Sequence, residues 1–290
     1  MKLVVKFNLV FVVVFLVGLA GAGYVSHRLL ENNAKEEILQ HARIMMEAAL
    51  AVRAYTNTQV KPLLDTQLKY TFLPQSVPAY AASEYFSELR KKYPEYHYKE
   101  ATLNPTNPRN RVTDWEADVV NHFRDAPATP EIVGVRDTPN GPALYMARPM
   151  QIKSEGCLYC HSTVDTAPKT LVERYGSANG FGWKVNEIIG AQIVSVPMQV
   201  PIERANETFR VFMISLTGVF AFIFVALNVM LLTMVVRPVT RLAAVADQVS
   251  LGNMEAPEFV IEGKDEIANL SDSFNRMRKS LVQALKMLEE

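Results

Sequence analysis

The sequence predicts an α+β domain between two transmembrane helices, followed by an all-α coiled-coil module. Three observations predict it. Two apolar runs, Phe7 to Val25 and Val211 to Val236, each hold one strongly polar side chain, Asn8 and Asn228. Of the 16 prolines, 14 lie between those runs and cut that segment into short elements. Beyond the second run, apolar residues recur at alternating steps of three and four, the spacing of a helix–helix seam.

Composition excludes several classes. Lys+Arg 30 and Asp+Glu 30 cancel over 290 residues, so no global basic field exists to hold nucleic acid. An apolar fraction of 49% is too high for a disordered chain. The two cysteines stand three residues apart and cannot form a disulfide framework.

Each apolar run meets the roughly 20 residues needed to cross about 30 Å of hydrocarbon. The expected divisions are 1–26, a first transmembrane helix; 27–210, a domain outside the cytoplasm; 211–236, a second transmembrane helix; and 237–290, a cytoplasmic module. Lys2, Lys6 and Ala20-Gly21-Ala22 also fit a cleaved signal peptide. No proline interrupts Phe7 to Lys61, which favours a retained anchor running on as one helix. Gly18, Gly21 and Ala22 offer a close-packing face. Lys2, Lys6, Arg237 and Arg241 put both termini in the cytoplasm, although Arg28, Arg204 and Arg210 on the other flanks weaken that argument.

Residues 157 to 161 read Cys-Leu-Tyr-Cys-His, the spacing of covalent c-type haem attachment. Two thiols on one turn reach two vinyl groups along one porphyrin edge. The adjoining His161 then supplies the proximal imidazole to iron. A thioredoxin-like dithiol would need a preceding strand and a helix N-terminus, whereas Lys153 to Gly156 read as a loop. A zinc site would need further ligands, and no other cysteine exists. One haem c per chain is expected. Haem is attached outside the cytoplasm in bacteria, which agrees with the orientation above.

The candidates for the sixth iron ligand are Met46, with Met45 as alternative, then His27, His41, His97 and His122, or an open position. Ile38, His41, Met45, Ala48, Val52 and Tyr55 form one helical stripe, and Met46, Leu50 and Arg53 its neighbour. Arg53 stands two turns, roughly 10 Å, from Met46. Met46 on iron would therefore leave Arg53 to pair with a propionate.

Between the runs, Val77 to Tyr93 reads as a helix, 103 to 110 as a turn-rich loop, and 113 to 124 as a helix capped by Thr113. Glu131 to Arg136 and Ala143 to Ile152 read as strands around a hairpin at Asp137 to Gly141, with a third strand from Gly190 to Met198. Four stretches together are similar to c-type-haem PAS-like periplasmic sensory domains. They are Phe72-Leu-Pro-Gln-Ser-Val-Pro-Ala-Tyr80, Lys99 through the Asn-Pro-Thr-Asn-Pro-Arg109 run, the Cys-Leu-Tyr-Cys-His turn, and Phe181-Gly-Trp-Lys with Gly190-Ala-Gln192. The resemblance covers about residues 30 to 200. It implies a haem-binding PAS-like fold, often dimeric, with a distal ligand that varies. The Asn-Pro-Thr-Asn-Pro-Arg loop is then either at the haem edge or a structural Ω-loop.

In the tail, Val235, Pro238, Leu242, Val245 and Val249 form one seam, and Ile267, Leu270, Phe274, Met277, Leu281, Ala284 and Leu288 a second. Gly252-Asn-Met254 and Asp265-Glu266 lie between them. Residues 237 to 288 resemble a HAMP linker, which implies a parallel four-helix dimer relaying membrane-helix motion.

The expected function is a membrane-bound sensor of redox state or a small gas, in the bacterial inner membrane, with its haem domain in the periplasm. A homodimer is expected, with output through a separate cytoplasmic signalling protein. The alternative is a membrane-anchored cytochrome passing electrons within a respiratory or photosynthetic complex; a third reading makes the haem purely structural. An enzyme is not expected, for the sequence holds no nucleophile–base pair of recognisable spacing, no phosphate loop and no second metal site.

Overall fold

The computed structural model describes residues 3–261 and 263–289; Lys2 and the side chain of Leu288, both invoked above, lie outside the described residues. The chain divides into two compact units, residues 28–207 and residues 1–27 with 208–290.

Helix α1 (Leu3–Tyr55) runs unbroken through the first apolar run. A π-helical turn, Thr56–Val60, leads into α2 (Lys61–Leu68). Pro62 stands in the first turn of α2. The wide turn before it lets the chain pass a residue that ends most helices, so the helical path extends beyond the expected stop at Lys61.

The rest of the 28–207 unit comprises α3 (Pro78–Arg90), β1 (His97–Thr102), α4 (Asp114–Asp125), β2 (Ile132–Thr138), β3 (Gly141–Gln151), α5 (Leu158–His161), α6 (Lys169–Tyr175) and β4 (Ile188–Pro197). The four strands form one antiparallel sheet in the order β1-β4-β3-β2. The hairpin turns at Pro139-Asn140, and Gly141 after it takes φ +95°, a conformation that only glycine adopts freely. Strand β1 was not anticipated. It lies just before the loop read at 103 to 110 and carries Lys99 and Glu100, each of whose charges meets a partner in the fold.

Alternation along the strands sends side chains to both faces of the sheet. Tyr98, Met146, Val194 and Val196 pack beneath α1 and α3 with Ile38, Met46, Ala82 and Phe86. Ala101, Ala147, Ala191 and Ile193 pack beneath α4 with Val119, Val120 and Phe123. The buried stripe of α1 is Ile38, Ala42, Met45, Met46 and Ala49. It lies beside the anticipated stripe, because Ala42 and Ala49 admit close approach to the sheet whereas Tyr55 stays exposed. Helix α4 opens where expected, with the Glu116 carboxylate accepting from the Thr113 N–H at 2.7 Å.

Residues 152–187 connect β3 to its neighbour β4, and all of the Cys-Leu-Tyr-Cys-His turn lies in that excursion. Its neck is closed by the Ile152 N–H on the Glu187 carbonyl, 3.0 Å, and the Asn186 N–H on the Ile152 carbonyl, 2.8 Å. The pairing of β3 with β4 shifts between Met150 and Gln151, just before the neck.

In the other unit, α1 and α7 (Gln199–Met230) carry the two stretches long and apolar enough to cross a membrane. Phe15 stacks on Phe220 with ring centres 5.1 Å apart, and Gly18 lies against the same ring. Of the small residues expected at this contact, Gly21 meets nothing within 4 Å of where a Cβ would stand; Gly23, against Met213, takes that part. A second π turn, Leu231–Val236, precedes α8 (Arg237–Ser250), and α9 (Glu266–Glu289) follows a connector. The Phe259 carbonyl on the connector accepts from Ser271 Oγ and from Asn275 Nδ2, and Asp265 Oδ1 caps α9 by accepting from the Ala268 N–H at 2.8 Å. Leu242, Val249 and Ala268 are buried, while Leu270, Met277 and Leu281 stay exposed in the single chain.

Phe123 has no exposed surface and anchors α4 to the sheet. Phe123→Ala is expected to cost about 3–5 kcal/mol, read as a lower urea midpoint for the full chain in detergent micelles.

Candidate functional site

The motif begins with a tight turn. Ser154 accepts the Gly156 N–H on its hydroxyl, 3.1 Å, and the Cys157 N–H on its carbonyl, 3.1 Å. A 3-10 turn over Glu155–Cys157, where a loop was expected, runs straight into α5. Cys157 and Cys160 are both unbridged and half-buried. Burial pushes the Cys160 thiol up, with Lys61 opposing and the neighbouring Cys157 adding to it. A thioredoxin-like dithiol depends on the opposite shift.

His161 is held on two sides. Its ring stacks on Trp183 at 3.9 Å, nearly parallel at 15°. Its Nδ1 lies 2.7 Å from the Gly180 carbonyl oxygen and 3.4 Å from Thr106 Oγ1. A carbonyl only accepts, so Nδ1 carries the proton and Nε2 keeps its lone pair. Burial lowers the imidazole below its ordinary value and the Gly180 bond partly opposes this, so the ring is neutral at neutral pH. A neutral, oriented imidazole with a free Nε2 is what a metal-binding histidine requires.

The Gly180 carbonyl is itself fixed. The Asn104 side chain accepts the Gly180 N–H at 3.1 Å and donates to the Phe181 carbonyl at 3.1 Å. Gly180 has φ +87°, and a Cβ there would overlap Thr106. The Gly182 N–H reaches the Ser162 carbonyl at 2.8 Å and the Trp183 N–H the His161 carbonyl at 3.1 Å. The Asn-Pro-Thr loop thus buttresses the histidine, while Arg109 at its far end pairs with Glu84 and lies over Tyr80.

The end of α1 and the start of α2 carry charges that couple to the cysteines. Cys157 acts electrostatically on Arg53, and Lys61 on Cys160. Arg53 is bound to the carboxylate of Glu100, whose side chain is only 3% exposed. Tyr98 OH donates to that carboxylate at 2.8 Å and receives Gln192 Nε2 at 3.1 Å. Burial works against the Arg53 charge, but Glu100 outweighs it and holds the guanidinium above its ordinary value. Burial, then the Glu100 charge, pushes the Tyr98 phenol up.

Residues 31–197 match the model of the Tll0287-like family. The chain belongs to the Tll0287-like family. Residues 230–283 match the HAMP domain, beginning at 230 where the sequence pattern suggested 237. The crystal structure of the cyanobacterial haem protein Tll0287 is similar at 17% identity over 57% of this chain and 96% of that one, with a TM-score of 0.44. No curated protein matches the chain.

Within the Tll0287-like domain, Cys157, Cys160 and His161 share one short turn, and Cys157 acts electrostatically on Arg53. The fold does not bring Met46 or Met45 to that turn. Both are core side chains, Met46 with no exposed surface, packed in the cluster that holds Phe86, Met146 and Val194 and no residue of the motif. The other histidines also stand elsewhere. His41 lies on α1, His97 begins β1 where the charges of Arg90 and Arg136 act on it, and His122 is on the exposed side of α4. His27 meets Phe209 edge to face in the other unit. Arg53, expected to pair with a propionate, already holds Glu100. Asn104, Thr106, Gly180 and Trp183 had no assigned role in the sequence. Their signal was two of the stretches that carried the family resemblance, one of them expected at the haem edge or as an Ω-loop, but neither said which residue holds which.

Arg53→Met strands a buried carboxylate and is expected to cost about 3–5 kcal/mol. The double variant Arg53→Met/Glu100→Met should recover most of that loss in urea unfolding of the full chain.

Proposed function

We propose that this protein is a membrane-bound c-type haem sensor that detects redox state or a small gas ligand outside the cytoplasm. The observation that carries this reading is the Nδ1 bond of His161 to Gly180, which leaves Nε2 free beside two unbridged thiols. Cys157 and Cys160 would hold the haem by adding across its vinyl groups, sulfur to one carbon and hydrogen to the other, so attachment would need no oxidant. His161 would offer Nε2 to the iron, and Trp183 and Gly180 keep its ring from turning. Lys61 and the outer part of Arg53 place positive charge for the propionates. When bound, the haem supplies a redox-active iron.

The remaining assignments concern the relay. Helix α1 runs from the first apolar stretch through Arg53 without a break. A change at the site then biases the position of a membrane helix, and the HAMP domain is the two-state element that reads it. The exposed seam of Leu270, Met277 and Leu281 is completed by a second copy of the chain. The protein acts in a bacterial inner membrane, with residues 27–210 in the periplasm and both ends in the cytoplasm, and passes its output to a separate signalling protein without turnover of its own.

Two measurements test this. Full-length protein made with a c-type maturation apparatus should carry one haem that stays with the polypeptide on a denaturing gel, and Cys157→Ser/Cys160→Ser should lose it. A fluorophore on Leu281→Cys in that holoprotein should change emission on haem reduction or on CO addition. Haem without any change in emission would favour an electron carrier.

A further inference from the structure

We infer that Asn104 is a positioning residue for His161, setting through the Gly180 carbonyl how strongly the imidazole donates to iron. The inference rests on the haem reading above.

The Asn104 side chain has one acceptor and two N–H donors, and the site uses one of each. Its Oδ1 takes the Gly180 N–H and its Nδ2 gives to the Phe181 carbonyl, both at 3.1 Å. Backbone N–H only donates and backbone C=O only accepts, so the amide cannot be turned the other way. These two bonds grip the chain on either side of the Gly180–Phe181 peptide unit. That unit carries the oxygen 2.7 Å from His161 Nδ1. Gly180 at φ +87° has no side chain of its own to fix its plane, so the restraint comes from outside. Thr106, two residues beyond Asn104, closes the pocket around the same oxygen and Nδ1.

A firm Nδ1–H···O=C bond moves electron density toward Nε2 and raises the basicity of the ligand. A more basic imidazole favours ferric over ferrous iron. Releasing the peptide unit weakens the bond and shifts that balance toward ferrous. Asn104 therefore acts on the potential without touching the haem, and the loop it belongs to becomes a tuning element rather than a simple strut.

The test is a redox titration of full-length holoprotein in detergent, followed by visible absorption. Asn104→Ala should raise the ferrous-to-ferric ratio at a fixed poise, and Asn104→Ser, too short to span both bonds, should raise it too. Arg111→Ala is the control, because Arg111 anchors the same loop through Asn179 at 3.0 Å without reaching the Gly180 carbonyl. It should leave the ratio unchanged. An unchanged ratio in Asn104→Ala with haem attached overturns the inference, as does an equal shift in Arg111→Ala. If Asn104→Ala does not accumulate as holoprotein, Asn104→Ser decides alone, a shift supporting the inference and no shift overturning it. Wild-type protein without covalent haem removes the proposed function itself, and this inference with it.

Discussion

One hydrogen bond organises the chemistry of this molecule, the proton on His161 Nδ1 held by the carbonyl of Gly180. It selects the tautomer, and so decides which nitrogen faces outward. It also fixes the ring plane, which Trp183 stacking reinforces from the side. Burial then keeps the ring neutral. Remove the carbonyl, and neither the thiols nor the stacking would aim the lone pair.

That bond is only as firm as the loops that make it. The motif and its acceptor both lie in the excursion between β3 and β4, closed at its neck by two backbone bonds. Asn104 comes from just after the edge strand β1, and ties the excursion from the two inner strands to that edge of the sheet. The sheet is rigid because both faces are covered, by α1 with α3 and by α4. The insertion therefore gains its precision from the scaffold, the usual division of labour between loops and core. The buried Glu100 adds a tie between β1 and the end of α1, since its only guanidinium partner among the described residues is Arg53.

Much of this was legible in the residues. The apolar runs, the Thr113 start of α4, the hairpin ending at Gly141 and the HAMP seams follow from periodicity and turn chemistry, which are local. The Cys-Leu-Tyr-Cys-His turn is local too. What escaped depends on contacts far apart in sequence. Strand β1 carries Lys99 and Glu100, and their charges look unfit for a buried strand until Glu116 and Arg53 neutralise them. Met46 looked like a ligand because a stripe of helix says which residues share a face, but not what that face meets. It meets the sheet. The roles of Gly180 and Asn104, 76 residues apart, could not be read from either stretch alone.

The π turn at Thr56–Val60 has a rotational consequence. Eight α-helical steps from Arg53 to Lys61 would turn the second side chain about 80° away from the first, at about 100° per residue. A π turn absorbs roughly one residue without advancing the helix around its axis. Seven effective steps leave the two side chains within about 20° in azimuth, so both cations look the same way. That phase correction is consistent with one helical path carrying two cations whose charges act on the same turn, Arg53 with Cys157 and Lys61 with Cys160. Deleting a single residue here would leave seven ordinary α-helical steps and the same azimuth, whereas straightening the turn with every residue kept would swing Lys61 about 80° away from Arg53.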